Sequence, residues 1–262
     1  MTDSSLDLRL LVACAAAREA GRLALDYFCN RDRLEIERKG FQDLVSRADR
    51  EVEVLVRERL GAAFPGEAFL GEEGGGADAE RLWVIDPIDG TSNFLRGVPY
   101  WSVVIAYVVE GRTEIGVTYD PVHDELFAAR CGRGALRDGR PIRVSGRREP
   151  GESAMGVSYT FKLDGGPYLD LMRSCLRIGL DHRRLGSTAL MLCHVADGRL
   201  DAMGALYCSF WDVVAGLLLV REAGGVSNDF LKTAAPTEPG RAFGCTPALR
   251  PVLEELVGIG AA

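Results

Sequence analysis

A layered α/β fold is predicted by two features of the sequence. Strand-length apolar runs alternate with segments of helical periodicity from end to end, and apolar residues make up 47% of the chain, ample for a sizeable core. There is no internal repeat and no low-complexity tract. The 262 residues allow one large domain or two small ones. "RREPGE" at 147–152 is the best candidate for a link between two halves.

Leu6, Leu10, Ala13, Ala17, Ala20, Ala24 and Phe28 share one helical face, which predicts an amphipathic helix over the first ~29 residues. Within it, "LVAC" (Leu11 to Cys14) looks like a lipoprotein cleavage box, but Asp3 and Asp7 stand where a signal peptide carries positive charge. A strand pattern follows at "LEIERK" (34–39). Ser46-x-x-Asp49 then reads as a capping box opening a second helix through Val52, Leu55, Val56, Leu60 and Ala63, stopped by Phe64-Pro65-Gly66. "AFLGEEGGG" (68–76) is a short strand ending in two glutamates and three glycines. "WVIDPIDGTSNFLRG" (83–97) is an apolar strand running into two aspartates, a turn and a short helix. "SVVIAYVV" (102–109) is continuously apolar, as in a strand buried on both faces. "TEIGVTYD" and "DELFAAR" are further strands, and "LRDGRPIRVSG" (136–146) holds an Asp-Gly turn and a strand. Beyond the link the pattern is strand (153–159), helix (about 166–179), helix (188–197), strand (199–204), helix (211–223), strand and a C-terminal helix.

The net charge of −7 is spread along the chain, which argues against a nucleic-acid groove. No uncharged run approaches a membrane span. The seven cysteines are scattered without a C-x-x-C pair and read as reduced thiols, so a soluble cytoplasmic protein is expected.

Three acidic clusters fall at element ends: Glu72/Glu73, Asp86/Asp89 and Asp212. Each alone has an ordinary structural explanation, as a solvated loop, a turn or a helix cap. Together, at the ends of buried strands, they would repel one another unless divalent cations were bound, and all-oxygen donors favour Mg²⁺, Mn²⁺ or Ca²⁺ over zinc. His123, His182 and His194 lie outside the clusters, and "HD" at 123–124 reads as surface. No Walker A loop, G-x-S-x-G elbow or Rossmann glycine pattern is present. Gly90-Thr91-Ser92-Asn93 offers backbone donors beside the acids, a phosphate seat. Carboxylates with a phosphate seat point to hydrolysis of a phosphate ester.

"GEE", "WVIDPIDGTSNFLRGVPYWSVVIA" and "WDVVAGLLLVREAGG" resemble, in order, the three signature blocks of the inositol monophosphatase family. "KGFQDLVSRAD", "GRGALRDGRPIRVS" and "LGSTALMLCHVADGRLDA" extend the likeness along nearly the whole chain. The resemblance implies a layered αβαβα sandwich of the inositol monophosphatase and fructose-1,6-bisphosphatase type. It implies one domain, 1–262, with sub-halves at about 1–146 and 153–262. It also implies a Mg²⁺-dependent phosphomonoesterase in which water attacks in line, using two or three Mg²⁺ ions, with Mn²⁺ as a substitute. Glu72, Asp86 and the Ile88 carbonyl would hold the first ion, and Asp86, Asp89 and Asp212 the second. A weaker third would lie near Glu72. Thr91, with Asp49 and Glu72, would form the catalytic group. Gly90, Thr91, Ser92, Gly186 and Ser187, with Asp89 and Asp212, would bind the substrate.

Inositol 1-phosphate is the substrate this likeness favours. Ala205, however, stands where the animal enzymes have an inositol-contacting glutamate, which leaves histidinol phosphate, fructose 1,6-bisphosphate and 3′-phosphoadenosine 5′-phosphate as alternatives. The partners expected are a small phosphorylated polyol or sugar and a second copy of the chain in a homodimer, with no direct nucleic acid and no membrane. An alternative of another class is a regulatory protein that binds the transcription machinery, as some bacterial members of the family do.

Overall fold

The computed structural model describes residues 3–33, 36–40, 43–76, 79–233 and 238–259. The first half contains α1 (Asp3–Cys29), β1 (Ile36–Gly40), β2 (Asp43–Ser46), α2 (Arg47–Ala63), β3 (Ala68–Gly71), β4 (Gly75–Gly76), β5 (Arg81–Asp89) and α3 (Thr91–Arg96). It continues with β6 (Ser102–Val109), β7 (Arg112–Asp120), β8 (Glu125–Arg130), β9 (Ala135–Arg137) and β10 (Arg140–Pro141). The second half contains β11 (Ala154–Ser158), α4 (Gly165–Arg177), β12 (Asp181–Arg183), α5 (Thr188–Ala196), β13 (Ala202–Cys208) and α6 (Phe210–Glu222). β14 (Val226–Ser227), α7 (Phe230–Thr233), β15 (Gly240–Cys245) and α8 (Arg250–Val257) complete it.

β1 and β2 form a hairpin; Leu34 and Glu35 of the expected first strand lie outside the described residues. An eight-stranded sheet has the order β10-β9-β8-β7-β6-β5-β3-β4, antiparallel except where β3 runs parallel to β5. A five-stranded sheet has the order β12-β11-β13-β15-β14, with β11 parallel to both β12 and β13. Alternation along β6 explains the stack. Val103, Ile105 and Tyr107 pack with α1 and α2, while Val104, Ala106 and Val108 pack with α5 and α6. β6 is thus antiparallel to both neighbours yet covered on both faces, which is why its sequence lacks polar alternation. α5 and α6 are buried nearly all round because the second sheet covers their far side, through Met203, Ala205 and Ala242. α4 and α8 close the outer face of that sheet. The layers are helix, sheet, helix, sheet, helix: the αβαβα sandwich expected.

Two boundaries and one strand differ from the sequence reading. Asp138 and Gly139 both take positive φ (50° and 75°), the turn that suits a tight hairpin, but pairing ends at Pro141. Ile142 and Val144 are apolar because they pack on the core, and Val144 N–H bonds the Ala223 carbonyl rather than a strand. β13 begins at Ala202, later than "RLDAMG" suggested, because Leu200 and Asp201 belong to the turn leaving α5. β12, with its polar Asp181-His182-Arg183, is a three-residue edge strand that carries no apolar signal. Among the described residues no helix is long and apolar enough to cross a membrane.

Candidate active site

The centre forms at the C-terminal end of β5. Asp86 pairs with Val104 and Asp89 with Ser102, so β5 carries one residue more than β6 between these points. Pro87 sits in this bulge, where its missing N–H costs no ladder bond. In an unbroken strand, residues three apart face opposite sides. The extra residue turns Asp89 to the same side as Asp86, toward α5 and α6, while Ile88 packs into the core on the α1/α2 side.

Helix N-termini then hold the acids. Asp49, in the first turn of α2, accepts from Ser46 N and Ser46 Oγ at 2.8 Å each. Asp89 accepts from Thr188 N (3.2 Å) and Ala189 N (2.8 Å) at the start of α5, and from Ser187 Oγ. Asp212 accepts from Ser209 N (3.0 Å), completing the capping box of α6. Asp86 Oδ1 accepts from Ile88 N at 3.1 Å. These N–H donors and helix dipoles favour the ionised carboxylates, but burial works against them. Asp49 and Asp89 are each pushed up to about 6 by burial, against the bonds just named. Asp212, which keeps part of its surface open, is pushed up to about 7 by desolvation and by Asp89. Asp86 is raised well above the carboxylate range by burial, then by Glu72, Asp89 and Asp212. Glu72 N bonds the Ile85 carbonyl at 3.2 Å, which brings this acid beside the end of β5.

Among the described residues no three His, Cys, Asp or Glu side chains close into a ready-made metal cage. Asp49, Asp89 and Asp212 are instead turned onto helix N-termini. Glu72, Asp89 and Asp212 nevertheless lie near enough to raise Asp86 together, while Lys162 draws Asp212 the other way. Hard, all-oxygen and crowded, this donor set fits Mg²⁺.

Thr91 Oγ1 donates to the Ile88 carbonyl at 3.0 Å and lies 3.5 Å from Asp49 Oδ1. Gly90 takes a φ of 97°, and a Cβ there would come within 3.2 Å of the Gly186 and Tyr100 carbonyl oxygens. Gly186 has a φ of 92°, and a Cβ there would meet Asn93 Nδ2 at 2.7 Å. Two segments more than ninety residues apart therefore meet through glycine backbones. Ser92, Gly186 and Thr188 line an adjoining cavity of about 480 Å³. Ser187 is fully buried, and its hydroxyl is engaged with Asp89 and with Leu190 N (3.2 Å), so it faces the acids rather than the cavity. His123, on a turn, is bonded through Nδ1 to Asp120 Oδ2 at 2.8 Å.

Two contributors escaped the sequence reading. Asn93 Nδ2 donates to both the Tyr100 and Leu185 carbonyls at 2.8 Å, clipping α3 to the segment before α5. Glu53, only 2% exposed, accepts from Glu73 N (2.8 Å), Gly74 N (3.0 Å) and Arg57 Nε (2.7 Å), and so holds the turn that carries Glu72. A signal for Glu53 was present: it lies four residues after Asp49, beside the buried Val52 and Val56.

The sequence matches the inositol monophosphatase family over residues 6–252. A protein of Pseudomonas aeruginosa named Nus factor SuhB is 42% identical over 232 residues, covering 84% of this chain and 85% of that protein. The Nus factor SuhB of Escherichia coli K12 is 38% identical over 226 residues, with the same coverage. Among solved structures, the extragenic suppressor protein suhB of Bartonella henselae superposes with a TM-score of 0.88 at 33% identity, over 97% of this chain and all of that one. The IMPase of Thermotoga maritima superposes with a TM-score of 0.85 at 31% identity, over 95% of this chain and 96% of that one.

These relatives correct the expected partners, which were a small phosphorylated polyol or sugar and a second copy of the chain, with no direct nucleic acid. Relatives named Nus factors are associated with the transcription machinery, so partners confined to small molecules and to the chain itself do not follow. The error was physical: a net charge of −7 is a sum over the whole chain and is silent about local surfaces. Sequence match, superposition and the order of the three acidic blocks agree, and the chain belongs to the inositol monophosphatase family.

Proposed function

We propose that the protein is a Mg²⁺-dependent phosphomonoesterase acting on small polyol or sugar phosphates, with inositol 1-phosphate as the reference substrate. The observation that carries this reading is the convergence of Asp86, Asp89 and Asp212 with Glu72 beside the Thr91–Asp49 pair. Family membership supports the phosphatase class and the general requirement for Mg²⁺. Glu72, Asp86 and the Ile88 carbonyl would hold one ion, and Asp86, Asp89 and Asp212 another, with a third near Glu72. When bound, the ions would acidify the attacking water and neutralise charge on the phosphoryl and leaving oxygens.

The chain's own groups supply the rest. Thr91 Oγ1 would accept a proton from the attacking water once its own hydrogen turns from the Ile88 carbonyl to Asp49 Oδ1, 3.5 Å away. Asp49, raised to about 6, is mostly ionised near neutrality and has a ready affinity for that proton. Glu72, brought beside the end of β5, would help to orient the water. The backbone N–H groups of Gly90, Thr91 and Ser92, at the start of α3, have no acceptor within their helix and are available to phosphoryl oxygens. The nearby Cys208 is an unsuitable nucleophile, since burial raises its thiol well above the ordinary range.

The test is Mg²⁺-dependent release of phosphate from inositol 1-phosphate, compared with histidinol phosphate, fructose 1,6-bisphosphate and 3′-phosphoadenosine 5′-phosphate. Activity that persists without divalent cation, or in Asp212→Asn, sinks the reading. Thr91→Val is expected to lower kcat by about 10²–10³-fold with little change in KM. An unchanged kcat would remove Thr91 from the proton path.

The names of the relatives favour a second role, association with the transcription machinery. Co-purification of RNA polymerase with the tagged protein tests it, and a clean pull-down from cells growing rapidly would count against it.

A further inference from the structure

The stretch that joins α3 to β6 is fixed on two sides by adjacent aromatic residues. Trp101, fully buried, packs edge-on against Phe94 of α3, with ring centroids 4.9 Å apart, on the α1/α2 side of the large sheet. Tyr100 goes the other way and packs on the core that holds α5 and α6. Its hydroxyl shares a hydrogen bond of 3.2 Å with Nδ1 of His194 on α5, and the two rings meet edge to face with centroids 5.5 Å apart. The imidazole is neutral at ordinary pH, because burial and then the Arg199 guanidinium push it down to about 4. His123 and Arg137 act in the same direction, and of the charged groups around it only Glu125 opposes them.

The backbone of the same residue touches the proposed phosphate seat. The Tyr100 carbonyl accepts from Asn93 Nδ2 at 2.8 Å, and a Cβ on Gly90 would lie 3.2 Å from it. The Tyr100 N–H bonds the Val98 carbonyl at 2.8 Å, closing a three-residue turn just before the anchored side chain. At its N-terminus α5 holds Asp89 through Thr188 N and Ala189 N. His194 lies five residues beyond Ala189, about 7.5 Å along the helix. One helix therefore grips the acid that precedes the seat and, through Tyr100, the carbonyl that backs it. We infer that Tyr100, anchored on His194, is a positioning residue that keeps the N–H groups of Gly90, Thr91 and Ser92 aligned on the phosphoryl oxygens. This rests on the phosphomonoesterase reading above and adds to it a residue outside the acidic centre. Donors aimed at developing charge lose their effect when they shift by a fraction of a bond length, so an anchor this close to the seat is felt in the rate.

Tyr100→Phe keeps the ring and removes only the hydroxyl. In Mg²⁺ it is expected to lower kcat for inositol 1-phosphate about tenfold and to weaken calorimetric binding of inorganic phosphate about fivefold. The Mg²⁺ concentration for half-maximal activity should stay unchanged, because the bonds that hold Asp89 are untouched. His194→Phe should give the same losses, and the double variant should be no worse than either single one, as for two halves of one contact. His194→Asn, whose amide stands where Nδ1 was, should recover part of the loss. Losses that add in the double variant overturn the inference. So does a Tyr100→Phe protein that melts lower yet keeps both kcat and phosphate affinity, since the tyrosine then serves the fold alone. A Mg²⁺ requirement that shifts as far as kcat also overturns it, because the acidic centre itself would have moved. If the wild type hydrolyses no phosphomonoester, that reading fails separately, and phosphate affinity in Mg²⁺ still decides this one. Weaker binding in both single variants supports the positioning role; equal binding, or none to the wild type, overturns it.

Discussion

Changing Asp86 to asparagine is expected to abolish Mg²⁺-dependent phosphate release, by on the order of 10³-fold or more, while raising the melting temperature of the metal-free protein. Both effects have one origin. Asp86 is buried among Glu72, Asp89 and Asp212, and its ionised form is opposed by desolvation and by three like charges. An amide of the same shape removes that opposition and with it the proposed bridging ligand. Stabilisation of the metal-free form by roughly 2–6 °C follows for a gain of about 1–2 kcal/mol in a chain of this size.

The same crowding gives a pH dependence. A carboxyl with a folded pKa above its unfolded value binds its proton more tightly in the native state. The stability this contributes is fully present below the unfolded value near 4 and is lost as pH rises through the folded one. With Asp49 and Asp89 at about 6 and Asp212 at about 7, the metal-free protein should melt lower at pH 8 than at pH 5. Added Mg²⁺ should close that gap in the natural sequence and much less in Asp86→Asn. Calorimetry across pH with and without Mg²⁺ reads this directly. A metal-free wild type that is equally stable at both pH values would show that the acids are not crowded.

Glu53→Ala is expected to weaken Mg²⁺ dependence about 10–100-fold and to cost about 3 kcal/mol, or roughly 8 °C. Glu53 touches no proposed ligand atom. It satisfies the N–H groups of Glu73 and Gly74 and pairs with Arg57, all from a site 2% exposed. Truncation leaves those donors without their acceptor and releases the turn that presents Glu72. Glu53→Gln keeps one acceptor oxygen and should recover part of the loss. The informative readout is the Mg²⁺ concentration for half-maximal activity. If it stays put while stability falls, Glu53 supports the fold alone.

The helices and central strands were legible because each is written locally. Ser46-x-x-Asp49 is a capping box in the structure, and "SVVIAYVV" is a strand covered on both sides. The acidic cluster could be proposed from spacing because an apolar strand rarely ends in two acids without reason. Glu53 and Asn93 were overlooked because a single acid within a charged helix, or an asparagine after a turn, has an ordinary explanation until its distant partners are seen. Ser187 matched its motif, yet the fold turns its hydroxyl toward Asp89.

The sequence by itself determined the main helices and central strands, the family and the chemical character of the centre, because these depend on residue types at short fixed spacings. Only the tertiary structure decided that Asp86 and Asp89 share a face, since that follows from the register of β5 against β6. It alone set Asp89 on the N-terminus of α5, about a hundred residues away, and brought Tyr100 to His194. The reason is that strand register and helix packing bring together groups between which no local pattern runs.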